Sequence, residues 1–414
     1  MLHHFSNLIS PLIKLLIQRR LSKGLEEADR LSERYGQSSF QRPPGKVVWI
    51  HAASVGEVMS IVPFVERYTQ EFPDHSILLT TTTVTGRMIA QQRLAGACIH
   101  QYAPFDVGAW VTCFLNHWTP CLCVLVESEL WPNIIQQVHH RQIPLVLLNA
   151  RLSDRSYRRW KKVKFAVRFM LSRFSVCLAQ SPSVAERLIV LGAKNVQTIP
   201  NLKFSTQQLP VVEKEHQEWV AKLGGRPLWV AASTHEGEDA MVLLAHARLK
   251  QEFPNLLTII IPRHPARAEG VKKLCLNNGY GAMCKSENSI GLPCEILIVD
   301  SIGELGLFFS LAKIVLMGGS FVPVGGHNPI EPALLGCAVI WGPHMHNFKD
   351  VCCVLGESCI AVTDQDAIVP IVTDLLQNPE KVHLLGDSAQ NAVLAQAKGL
   401  GDIVRTVGGY ADGI

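Results

Sequence analysis

Ten short, continuous apolar runs, rich in β-branched residues and bounded by turn residues, alternate with helix-like stretches from about residue 46 onward. KVVWIHA (46–52), SILLTTT (76–82), CLCVLV (121–126), PLVLLNA (144–150) and VCLAQS (176–181) form a first set. PLWVAAS (227–233), LLTIIIP (256–262), EILIVDS (295–301), KIVLMGG (313–319) and AVIWG (338–342) form a second. Runs of this length without polar alternation read as strands buried on both faces. Helices between successive strands make the connections crossovers, and crossovers make the sheets parallel. The polar stretch STQQLPVVEKEHQEW (205–219) separates the sets. The expectation is an α/β chain of two Rossmann-like domains, with ligands at strand C-terminal ends in a cleft between them.

The pattern sets the boundaries: an apolar and basic N-terminal segment (1–38), a first domain (39–205), a linker (206–225) and a second domain (226–414) whose final helix packs back on the first. The 414 residues are 48% hydrophobic and 18% charged, enough for two cores and too apolar for a disordered chain. A formal net charge of +4 does not by itself mark a nucleic-acid binder. The twelve cysteines contain no C-x-x-C and lie mainly in apolar runs, so they read as buried thiols without disulfides. FSNLISPLIKLLI (5–17) is interrupted by Pro11 and Lys14 and followed by Arg19, Arg20 and Lys23. It falls short of the roughly 20 apolar residues of a spanning helix. An interfacial helix on an anionic leaflet and a helix packed on its own domain both fit.

The unusual residues follow the strands. HAASVGEV (51–58) lacks the G-x-G-x-x-G fingerprint, which argues against a nicotinamide-linked oxidoreductase. Its Ser54 and Glu57 have capping-box spacing, and Glu57 also suits a general base at a strand–helix turn. In VESELWPN (126–133), Glu127 and Glu129 form an acidic pair at a strand end. The expectation is that only one of them faces the ligand. Arg151 to Arg173 holds nine basic residues against Asp154 alone, with Tyr157, Trp160 and Phe165 interleaved, a pattern that favours a phosphorylated lipid over nucleic acid. Arg263 ends a strand and suits a phosphate. The Gly-rich junctions VDSIGELG (299–306) and GGSFVPVGGHNPIEPALLG (318–336) let backbone approach a nucleotide, with Glu331 placed for a ribose diol. His235 and His327 lie in motif loops without metal-ligand spacing. The one D-x-D, in TDQDA (363–367), reads as a helix cap, so no metal is expected.

HAASVGEV, VESELWPN, NARLSDRS, NLKF, STHEGE, PRHP, GGSFVPVGGHNPIEPA and GPHMHNFKD occur in the order found in the 3-deoxy-D-manno-octulosonic acid (Kdo) transferases of lipopolysaccharide biosynthesis, which this chain resembles over nearly its whole length. The resemblance implies a GT-B fold, CMP-Kdo as donor, a lipid A precursor as acceptor, and no separate cofactor. It implies work at the cytoplasmic face of an inner membrane with an anionic surface, and not on nucleic acid. Glu57 would be the base, with Glu127 and Lys203 stabilising the transition state. The CMP contacts would fall on Pro262, Arg263, Ile302, Gly303, Glu304, Asn328, Pro329, Ile330 and Glu331. Family members often carry a longer apolar anchor at the N-terminus. Without the motif set, another GT-B lipid glycosyltransferase would fit as well. A sugar-nucleotide or lipid-binding protein without activity would lack a reason for Glu57.

Overall fold

The computed structural model describes residues 10–287 and 293–413. The first nine residues, which begin the expected N-terminal apolar segment, lie outside the described residues. The chain divides into two compact units, one of residues 1–206 and 396–414, the other of residues 207–395.

In the first unit, β1 (Lys46–His51), β2 (His75–Thr81), β3 (Ile99–Tyr102), β4 (Leu122–Val126), β5 (Leu145–Ala150), β6 (Val176–Ala179) and β7 (Val196–Thr198) form one parallel sheet in the order β3-β2-β1-β4-β5-β6-β7. The interior strands are buried on both faces, as their unbroken apolar runs require. Val48, Ile50, Val124 and Val146 point into one core; Val47, Trp49, Cys123 and Leu145 point into the other. Trp49 donates its Nε1–H to Thr80 Oγ1 at 2.9 Å, which satisfies the indole inside the sheet.

The final helix, Leu400–Asp412, belongs to this unit: Ile403, Val404, Val407 and Ala411 are buried in its core. It lies so close to the helix Val55–Glu71 and the following turn that a Cβ on Gly408 would stand 2.1 Å from the Phe72 ring.

In the second unit, β8 (Leu228–Thr234), β9 (Leu257–Pro262), β10 (Ala282–Cys284), β11 (Ile296–Ile298), β12 (Ile314–Met317), β13 (Ala338–Trp341) and β14 (Ile360–Ala361) form a second parallel sheet, ordered β10-β11-β9-β8-β12-β13-β14. Trp229 and Thr258 repeat the indole-to-threonine bond of the first sheet at 2.8 Å. The stretch read as a linker (206–225) is not one throughout. Its Glu213–Leu223 forms a helix of the second unit, with Trp219 packed edge-on against Phe308. The short acidic-to-basic sequence hides this, because only Trp219 and Leu223 are buried.

All twelve cysteines are free thiols, most of them buried. Asp364 caps the turn Gln365–Ala367 by accepting from the Asp366 and Ala367 N–H groups. Among the described residues no helix is long and apolar enough to cross a membrane.

Candidate active site

Each sheet reverses its strand order near its middle, between β1 and β4 in the first and between β8 and β12 in the second, where β11 also inserts between β9 and β10. Ligands of open α/β sheets bind beyond the strand C-termini at such points. The motif loops stand there.

In the first unit, Ser54 is the N-cap of the helix Val55–Glu71. The capping box forms and also fixes the Glu57 carboxylate. The Ala53 N–H donates to Oε2 at 2.7 Å and the Ser54 hydroxyl to Oε1 at 3.0 Å. The two readings of Glu57 are therefore compatible, since each oxygen keeps a lone pair after accepting one bond. Burial, then the negative charge of Glu129 with a smaller share from Glu127, pushes Glu57 up to about 7 against the opposing pull of its two hydrogen bonds.

Glu127 leaves β4 with φ +56°, a left-handed conformation uncommon for a glutamate. Residues two apart share a face of a regular strand, and both carboxylates act on Glu57, so the expectation that only one of the pair faces the ligand is not met. Glu127 Oε1 lies 3.4 Å from Lys203 Nζ and its Oε2 3.9 Å from Arg151. Lys203 sits on the turn Leu202–Ser205, held by Asn149 Oδ1 accepting from Leu202 N–H (3.2 Å) and Asn201 Oδ1 accepting from Lys203 N–H (3.1 Å). Asn149 is fully buried and also left-handed, at φ +53°, where the β5–β6 register shifts. Such outliers gather where a strand end is re-aimed toward a site.

Glu129 has a separate setting. His51 Nε2 lies 3.4 Å from its Oε2, the Trp131 indole donates to the same oxygen, and His51 Nδ1 meets Thr80 Oγ1 at 2.9 Å. Burial raises its pKa, but the bonds from His51 and Trp131 outweigh burial and hold Glu129 below the usual carboxylate range. His51, Thr80 and Asn149 escaped sequence reasoning. Their only signal was a polar side chain inside or ending an otherwise apolar strand.

In the second unit, Pro262 ends β9, and Arg263 follows it with its side chain exposed. Ile302 and Gly303 form an open turn, with Ile302 82% exposed and Gly303 at φ +93°. Glu304 is tied to Ser301 at 2.6 Å and paired with Lys285. Asn328 accepts from the Ile330 N–H at 3.2 Å and donates to Glu331 Oε1 at 3.2 Å, which binds the Asn328–Glu331 segment to the start of the helix Ile330–Leu334. Buried Glu238 does structural work: it accepts from the N–H groups of His235, Gly319, Ser320 and Phe321, pinning the loop after β12 under the loop after β8. Thr234 and Arg267 share Asp239 in the same layer. No group of three or more His, Cys, Asp or Glu side chains suits a metal ion among the described residues.

Solved structures share this architecture. The UDP-GlcNAc 2-epimerase of Neisseria meningitidis superposes with a TM-score of 0.60 at 13% identity, over 87% of this chain and 99% of that one. Acinetobacter baumannii MurG gives 0.52 at 11%, over 88% and 100%. Two parallel sheets of this topology with motif loops at both reversals place the chain in the GT-B class of glycosyltransferase folds. A profile described as 3-deoxy-D-manno-octulosonic-acid transferase (kdotransferase) matches residues 29–206. The 3-deoxy-D-manno-octulosonic acid transferase of Haemophilus influenzae is 36% identical, covering 93% of this chain and 92% of its own length. The chain belongs to the Kdo transferase family of glycosyltransferases.

Proposed function

We propose that the chain transfers Kdo from CMP-Kdo to a hydroxyl of a lipid A precursor with inversion at the anomeric carbon. The observation that carries the reading is Glu57, a fixed carboxylate pushed up to about 7, where a general base is most effective near neutral pH. Glu57 takes the acceptor proton, and the acceptor oxygen forms the new bond to the anomeric carbon. The bond from that carbon to the phosphate oxygen breaks, and CMP departs with its electron pair. Lys203, 3.4 Å from Glu127, supplies positive charge next to the site, and Glu127 can steady positive charge on the sugar.

In the second unit, Arg263 takes the phosphate, aided by Pro262, Ile302, Gly303 and Glu304. The Asn328, Pro329, Ile330 and Glu331 segment takes the rest of the nucleotide. A cationic side chain on the leaving group makes a divalent metal or other cofactor unnecessary. The acceptor is met at an anionic bilayer, the cytoplasmic face of an inner membrane. In the helix Ser10–Ser22 only Ile17 is buried, while Leu12, Leu15 and Leu16 are exposed beside Lys14 and Arg19.

Incubating purified protein with CMP-Kdo and lipid A precursor, then weighing the lipid, tests the reading. Each transfer adds one Kdo residue, and EDTA leaves the rate unchanged. A lipid of unchanged mass sinks the substrate assignment; loss of activity in EDTA, restored by a divalent ion, sinks the metal-free mechanism.

A further inference from the structure

With the nucleotide assigned to the second unit, one pair of side chains there is left without a role, and any role for it rests on that assignment. His235 and His327 come from the loops after β8 and β12, the strands that flank the reversal of the second sheet. Their Nε2 atoms are 2.7 Å apart. The ring planes differ by 4° and the ring centres are 5.0 Å apart. The centres are farther apart than the nitrogens by about twice the distance from a ring nitrogen to its own centre, so the rings lie end to end in one plane with a nearly straight N···N line. A contact this short holds one proton: one nitrogen donates, the other accepts. The accepting ring must then carry its own proton on Nδ1, and the donating ring leaves its Nδ1 bare. The pair can take one more proton, at that bare nitrogen. It cannot take two, because a second hydrogen on the Nε2 line would collide with the first.

The surroundings keep the pair neutral. Arg263, His264, Arg267 and Glu238 face His235; Arg263 and His264 also face His327. Asp239 neutralises Arg267, and His346 lies beyond Gly325 in the adjoining loop. Burial, with Arg263 and the neighbouring imidazoles adding to it, pushes His327 down to about 4. The rings are also fixed in place. Gly319, at φ +65°, packs close against both: a Cβ there would stand 3.0 Å from His327 Cδ2 and 3.5 Å from His235 Cδ2. An anion on Arg263 offsets the repulsion that the guanidinium adds to the cost of burial, and its own negative charge attracts the extra proton.

We propose that His235 and His327 work as one proton-sharing pair in the anion site of the second unit, taking up a single proton at the bare Nδ1 when a phosphate-bearing ligand binds. The proton comes from solvent, and the pair then carries one positive charge beside the phosphate.

Calorimetric titration of the full-length protein with CMP near pH 6, in two buffers of different ionisation enthalpy, counts the protons. The native protein should take up more than His327→Asn, by a difference approaching one proton. At full uptake the affinity of the native protein falls about tenfold per pH unit relative to the variant. The second ionisation of CMP, near 6, is common to both proteins and drops out of the difference. Cytidine, which lacks the phosphate, should show no difference. Free Kdo tests the other anion of the donor: uptake with Kdo but not with CMP overturns the phosphate assignment. CMP binding with equal proton counts in both proteins overturns the inference alone, whereas no CMP binding to the native protein overturns the nucleotide reading and the inference with it. If His327→Asn does not fold, imidazole resonances of the native protein decide. The pair should titrate as a one-proton unit whose midpoint rises above pH 6 with CMP, and two rings titrating independently would refute it.

Discussion

Glu57 carries opposite consequences for activity and stability. Its folded pKa of about 7 lies above the ordinary carboxylate value. It therefore binds its proton more tightly when folded, and the stability it contributes is present below the unfolded pKa and lost as pH rises through 7. Activity runs the other way for the proposed base, which must be ionised to act: kcat should climb with a midpoint near 7. Glu57→Gln should cut kcat by roughly 100-fold or more while melting no lower than the native protein at pH 8. Near-native turnover by the variant would leave Glu57 only its capping role. Glu127 offers a second split. Its left-handed backbone costs about 1–2 kcal/mol in a residue with a side chain. Glu127→Gly should hold or raise the melting temperature while kcat falls, because the partner of Lys203 is lost. A fall in both would mean that the ion pair stabilises the fold more than the backbone strain costs. The sequence pointed to Glu57, Glu127 and Lys203 through their motifs. It did not place Glu129 near Glu57, because Glu127 ends the strand in a left-handed conformation and the chain beyond it is set by tertiary contacts such as those of Glu129 with His51 and Trp131.

At the scale of elements, ten of the fourteen strands were legible as apolar runs, and the four that were not are β3, β7, β10 and β14, the outer strands of the two sheets. A strand buried on both faces must be apolar at every position, whereas an edge strand has no such requirement. IHQY in β3 and VQT in β7 carry polar residues that a core strand could not. The basic stretch divides in a way its composition could not reveal. Tyr157 and Trp160 pack against the core, while Phe165 is 87% exposed. Arg151 faces Glu127, but Arg155, Arg158, Arg159, Lys161, Lys162, Lys164 and Arg168 are exposed on the helices Asp154–Lys162 and Lys164–Leu171. Each such charge near an anionic leaflet contributes about 1 kcal/mol, screened by salt. Changing Arg158, Arg159, Lys161 and Lys162 together to Gln should abolish most sedimentation with anionic vesicles at low salt and alter it little at high salt. Sedimentation like that of the native protein at low salt would make this an ordinary solvated face.

At the scale of the whole molecule, the chain leaves the first unit after residue 206 and re-enters it at residue 396. Ile403, Val404, Val407 and Ala411 fill a core whose other members begin at Val48. Removing residues 396–414 strips four buried side chains from that core, and each large-to-small loss in a core costs a few kcal/mol. In a limited-proteolysis series, the truncated protein should lose residues 46–198 to the protease first while 227–395 persists. Equal survival of both segments would show that the final helix is dispensable. The return of the chain also orders events in time. During synthesis the first unit emerges early, yet the helix that closes its core follows the whole of the second unit. The part of the protein that carries Glu57 thus stays incomplete until the second unit has been made. A chain broken off before residue 396 could then retain a well-folded second unit beside an unfinished first one, so translation of the later unit acts as a checkpoint on the earlier.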